Sequence, residues 1–153
     1  MGYKSNDLGI FVPVRDKQRL EGTAYFELHP GELPKRFACW LPGSLFVKDA
    51  AFDFFVTSFE HANPKFDYFA FERFSRAQID VLLGELATFT SELVPECSRE
   101  VVFSRYSSIF PPDIWDDVGT EILRSSVVRA ANEMTSFIRG SCDKDECLWV
   151  LGM

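Results

Sequence analysis

A chain of 153 residues has the length of one ordinary domain, able to bury a core without disulfides or metals. With 46% hydrophobic and 25% charged residues, wholesale disorder is excluded, and a net charge of -7 argues against a general binder of phosphate backbones. Residues 1–76 balance ten Lys or Arg against ten Asp or Glu, whereas residues 77–153 hold six against thirteen. The excess negative charge therefore lies in the second half, which predicts one acidic face; a solubilising surface and a docking site for basic partners both fit it. No apolar run approaches the roughly 18–20 residues a bilayer needs, and the polar start through Asp7 lacks a secretory pattern. A soluble, cytoplasmic protein that does not insert in membranes is the expectation.

Along the chain, Gly9–Val14 reads as an opening strand placed at a sheet edge by Pro13. Thr23–Leu28 and Arg36–Leu41 read as the second and third strands, ended by His29-Pro30-Gly31 and Pro42-Gly43. The composition is unusual in its 16 phenylalanines, nine of them between Phe46 and Phe74. Within that run Phe52, Phe55, Val56 and Phe59 recur at helical spacing, which predicts a helix over Val47–His61 closed by Asn63-Pro64. Lys65–Phe74 carries aromatic residues on both alternating faces, the pattern of an interior strand.

Ser75-Arg76-Ala77-Gln78 has the form of a capping box, and Ile79, Leu82, Leu83, Leu86, Phe89 and Leu93 continue one helical face up to Pro95. Val101–Phe103 reads as a short strand. A last long helix is expected from Pro111-Pro112 to Gly140, with Trp115, Val118, Ile122, Val127, Ala130, Ala131, Met134, Phe137 and Ile138 on its buried face. Leu148–Leu151 resembles a closing strand. No repeat or linker divides the chain, so residues 1–153 are expected to form a single α+β domain: antiparallel N-terminal strands, an interior Phe-rich strand and about three packed helices.

Catalytic signatures are absent from the sequence: there is no Gly-rich phosphate loop, nucleophile elbow or histidine pair at metal spacing. His29 and His61 read as structural residues near element ends, and Cys97 as a loop thiol without an identifiable base. The four cysteines do not assemble zinc-ligand spacing. Cys142 and Cys147 read as thiols in a reducing compartment, with a disulfide staple between them left open. Asp143, Asp145 and Glu146 lack the glycine and distant glutamate of a calcium loop. No cofactor or metal is expected from these spacings, and no nucleic acid, because the aromatic run carries only Lys48, Lys65 and Arg73 among its rings.

The more informative group opens the last expected helix. Asp113, Asp116, Asp117 and Glu121 stand at i, i+3, i+4 and i+8, so one helix face would display all four, with Ile114 and Trp115 alongside. One or two acids in a first turn compensate the helix dipole at about 0.3–1 kcal/mol each; four on one face also repel one another. The surplus points to a partner surface, of the kind by which acidic inhibitors imitate the phosphates a basic nuclease binds. Asp113, Trp115, Asp116, Asp117 and Glu121 are the candidate partner-binding residues.

The segment from Tyr68-Phe69-Ala70-Phe71-Glu72-Arg73-Phe74 through Ser75-Arg76-Ala77-Gln78-Ile79 into Leu82-Leu83-Gly84-Glu85-Leu86 runs an aromatic strand directly into a capped helix. Over these roughly 20 residues the chain resembles the middle of several small immunity proteins of bacterial polymorphic and contact-dependent toxin systems. That resemblance implies a cytoplasmic, non-enzymatic protein that binds a cognate toxin domain and occludes its active site. It carries over no individual binding residues. The alternatives are a small-ligand-binding domain or enzyme with an aromatic-lined pocket, and a scaffold or adaptor subunit.

Overall fold

Strands β1 (Tyr25–Pro30), β2 (Leu45–Lys48), β3 (Phe71–Phe74) and β4 (Leu148–Leu151) form one antiparallel sheet in the order β2-β1-β4-β3. The computed structural model describes residues 2–3, 5–22, 24–36, 40–142 and 146–152. Pairing of Phe26 with Val47, Leu28 with Val150 and Phe74 with Leu148 puts these side chains on one face, and all belong to a single core cluster. Helices α1 (Asp49–Phe52), α2 (Val56–Ala62), α3 (Arg76–Glu92), α4 (Arg99–Val102) and α5 (Thr120–Ser141) supply much of the rest of that core, with Phe11, Phe54, Phe55, Phe66 and Trp115 joining from the segments outside them. The architecture is α+β, as expected.

The opposite face of β1 is also buried. Tyr25 and Glu27 point there, beside Phe46, and the Trp40 ring packs edge-on to both Tyr25 and Phe46 at 6.2 and 5.5 Å. A buried carboxylate is tolerable only when its lone pairs are used. Glu27 accepts from the Trp40 and Leu41 amides at 2.8 and 2.7 Å and from the Ser44 hydroxyl at 2.7 Å, which fixes this cover. Trp40 sits at φ 72°, a left-handed conformation costly for a bulky residue, held in place by that acceptor.

Several local expectations give way to longer-range pairing. Gly9–Val14 is not a strand. A 3-10 helix spans Ser5–Phe11, burying Phe11, and Pro13 leaves only Val14 to bridge Phe46 in both directions at 2.9 and 2.7 Å. The Arg36–Leu41 strand falls partly on Phe37–Cys39, outside the described residues; Arg36, Trp40 and Leu41 are not in a strand. The Val47–His61 helix is broken, because Leu45–Lys48 pairs with β1 and residues 53–55 turn between α1 and α2. The Ser107 amide takes the Asp53 carbonyl at 2.9 Å, an acceptor that an unbroken helix would have given to Thr57.

The Phe-rich strand is short and lies at the edge of the sheet, not inside it. Asp67 accepts from the Phe69 amide at 2.9 Å and holds a turn before β3, and Phe69 and Phe71 stand exposed. The interior strands are β1 and β4. Val101 and Val102 are helical rather than extended and Phe103 is the C-cap, because the Ser98 side chain caps the Val101 amide and starts α4. The capping box of α3 forms as read: Ser75 accepts from the Gln78 amide at 3.2 Å and its own amide donates to Gln78 Oε1 at 2.9 Å. The aromatic run fills the core with itself: Phe26 stacks on Phe52 at 3.9 Å, while Phe59 meets Phe66 and Phe74 and Phe55 meets Phe89 at about 6 Å.

Candidate functional site

The expected continuous helix from Pro111 is two elements. A 3-10 turn covers Pro112–Trp115, and α5 begins only at Thr120, with Gly119 at its N-cap. Helical spacing therefore does not relate Asp113, Asp116 and Asp117 to Glu121, and the four acids do not share one helix face. The cause is Trp115. Its ring is wholly buried, stacked on Tyr3 at 4.5 Å and packed against Phe11 and Phe54 at 5.4 and 5.5 Å. Trp115 is thus the anchor of the turn, and its side chain offers no surface to a partner.

A second anchor is Arg99 on α4. Its guanidinium donates to the Trp115 carbonyl at 2.7 Å, to the Val118 carbonyl at 2.9 Å and to the Thr120 hydroxyl at 3.3 Å. One planar cation thereby bonds both carbonyls, the Trp115 one accepting from the Val118 amide as well, and links them to the first residue of α5. The Tyr3 amide donates to the Ile114 carbonyl at 2.6 Å, and Gly2 passes so near that a Cβ there would lie 2.9 Å from the same oxygen. The acidic turn is held from both sides.

Asp113, Asp116 and Asp117 are exposed on this turn, and the ion pairs among the described residues leave all three out. Glu121 differs. Arg124 engages it through two nitrogens, at 2.7 and 3.1 Å, and this holds its carboxyl below the usual glutamate range. Arg124 also donates to the Leu93 carbonyl, tying α5 to the end of α3. Glu121 is paired within the chain, and the unspent charge belongs to the three aspartates.

Immediately before the turn, Ile109 is 80% exposed and Phe110 55% exposed. Sequence reasoning missed them, although a signal was present. They lie in Ser107-Ser108-Ile109-Phe110-Pro111-Pro112, where no periodic element could bury them. The segment is ordered by local bonds: the Phe110 amide donates to Ser108 Oγ at 3.0 Å and the Tyr106 hydroxyl to the Phe110 carbonyl at 3.5 Å. Two large apolar side chains next to three carboxylates that no ion pair among the described residues engages make an anchor-and-rim composition suited to protein recognition.

Other polar groups are committed to structure. Ser44 lies between Glu27 and His29, donating to Glu27 at 2.7 Å and contacting His29 Nδ1 at 2.9 Å. In a hydrolytic triad the imidazole stands between acid and hydroxyl; here the hydroxyl occupies the middle and is wholly buried. Burial also lowers the His29 pKa. His61 hydrogen-bonds Glu85 across α2 and α3. Cys97, Cys142 and Cys147 are free thiols, and burial pushes Cys142 and Cys147 up to about 11, away from nucleophilic ionisation. Cys147 instead bonds Glu32, which also accepts from Arg73 at 2.7 Å. Asp143 and Asp145 lie outside the described residues. Among the described residues no group of three or more His, Cys, Asp or Glu is arranged to hold a metal, and no helix is long and apolar enough to cross a membrane.

Comparison with protein families, with curated proteins and with solved structures finds no match.

Proposed function

We propose that the protein is a non-enzymatic binding protein, an immunity-type inhibitor that occludes the active site of a basic toxin domain. The observation that supports this most is the turn over residues 109–117. There the exposed Ile109 and Phe110 adjoin Asp113, Asp116 and Asp117, and buried Trp115 and half-buried Arg99 fasten the turn to the core. A surface held before binding loses little entropy on association, and its carboxylates attract and orient a cationic partner from a distance. On the partner, lysines or arginines that otherwise receive phosphates would meet the aspartates, while the two apolar side chains enter the cleft between them. Occlusion needs no chemistry from this chain, in keeping with the buried, committed state of Ser44 and Cys147.

The experiment is co-expression with the product of the adjacent gene, followed by growth measurement and by association kinetics on the purified pair. Under this proposal the partner is toxic alone and harmless together with this chain, and association slows steeply with rising salt. A partner that binds equally fast at 50 mM and 500 mM salt, or whose toxicity persists, would overturn the proposal.

A further inference from the structure

A cavity of about 310 Å³ opens between the N-terminal segment and the first strand pair, and none of its lining belongs to the acidic turn. One wall is apolar, made by Ile10, Val12 and Val14. The 3-10 helix Ser5–Phe11 turns Phe11 into the core and leaves Val12 37% exposed, while Val14 is fixed by its two-way bridge to Phe46. The other wall is polar, made by Arg19, Glu21, Tyr25 and Lys48. Lys48 stands two residues beyond Phe46 on β2, opposite Tyr25 on β1, so the pleat directs both to the same face.

The polar wall is set in advance. Lys48 Nζ donates to the Glu21 carbonyl at 3.0 Å and sits 4.9 Å over the Tyr25 ring, and the Tyr25 hydroxyl accepts from the Glu21 amide at 3.1 Å. Arg19 ends the short 3-10 turn Lys17–Arg19, which Asp16 caps by accepting from the Gln18 amide at 2.9 Å. Arg73, Arg76, Arg105, Arg124 and Arg129 each meet a carboxylate, but no ion pair among the described residues engages Arg19 or Lys48. With Glu21 the only acid of the lining, the cavity holds one surplus positive charge in a chain of net charge -7.

From this geometry we infer that the cavity is a binding site for a small monocarboxylate with an apolar body. Arg19 and Lys48 hold the carboxylate, and Ile10, Val12 and Val14 cover the hydrocarbon. A guanidinium presents paired N–H donors to a carboxylate, and the ammonium adds a second charge-assisted bond. An inorganic anion would leave the apolar wall uncovered, and a neutral hydrocarbon would leave the cations unmatched. The volume lies at the small end of ligand sites, which span about 300–1,000 Å³. This site goes beyond the toxin-binding function and does not rest on it.

The test titrates the full chain with 4-methylpentanoate, with the uncharged 4-methylpentan-1-ol and with acetate, following the methyl signals of Ile10, Val12 and Val14 by NMR. The branched acid is expected to shift these signals saturably, and to bind at least tenfold more tightly than the alcohol or acetate. Arg19→Gln, on an exposed turn, weakens the branched acid about tenfold and leaves the alcohol unchanged. Arg129→Gln, which removes an equal charge from α5, leaves both unchanged. Methyl signals that do not move, equal affinity for the branched acid and either control, or equal effects of the two substitutions would overturn the inference. No protein partner enters this measurement, so its failure removes the carboxylate site alone; the proposed toxin binding fails separately, if the co-expressed partner remains toxic.

Discussion

Trp115 shows how one side chain decides a local structure. Its ring fills a site formed by Tyr3, Phe11 and Phe54, and the backbone between Pro112 and Gly119 follows the ring. Trp115→Ala is expected to cost about 3–5 kcal/mol in denaturant unfolding, the range for deleting a buried aromatic. A cost below about 1 kcal/mol would show that the turn holds without its anchor. Asp53 works in the other direction. Its carboxyl is raised from 3.8 to about 6, so the fold favours the protonated form. The stability tied to it is full below pH 4 and is lost as pH rises through 6, amounting to about 3 kcal/mol by pH 7.5. Relative to Asp53→Asn, the native chain should therefore lose stability between pH 4 and 7.5; parallel unfolding curves at the two pH values would refute the assignment.

At the scale of elements, α3 was readable in advance because every signal for it is local: a reciprocal cap, a helical apolar face and a terminating proline. Ser75→Ala removes the acceptor for the Gln78 amide and should cost about 1 kcal/mol, measured by thermal or denaturant unfolding. The Phe-rich stretch was harder to place. Its helical and alternating periods are both real, but its breaks are set from outside: Ser107 takes the Asp53 carbonyl, and β1 claims Leu45–Lys48. The position of β3 at the sheet edge follows from β4, which arrives more than 70 residues later and inserts beside β1. No local pattern in Phe71–Phe74 encodes that. Gly152 records the same closure, since a Cβ there would collide with the Tyr68 carbonyl oxygen. Gly152→Ala should displace the turn that carries Phe69 and speed amide exchange over residues 67–70.

For the molecule as a whole, the α+β class and the acidic character of the second half were legible, because both are sums over many residues. The candidate surface was only half legible. Composition located the acids, but a helical ruler laid across Trp115 and Gly119 grouped Asp113, Asp116 and Asp117 with a Glu121 already paired to Arg124, and counted a buried tryptophan among the contacts. Ile109 and Phe110 went unassigned because they belong to no periodic element. What emerges is an aromatic core with an acidic turn on the outside, next to the exposed Ile109 and Phe110. Reversing two of the turn's charges, Asp116→Lys with Asp117→Lys, leaves Trp115 and Arg99 in place. That variant should fold with unchanged cooperativity yet associate with the partner roughly tenfold more slowly at low salt.

The most direct measurement of the central claim is capture from host extract on immobilised native chain and on the Asp116→Lys, Asp117→Lys variant in parallel. The account predicts that the native chain alone retains one basic domain, released by salt, toxic when expressed by itself and harmless with its captor. Equal retention by both chains, or a captured protein with no toxicity, would contradict it.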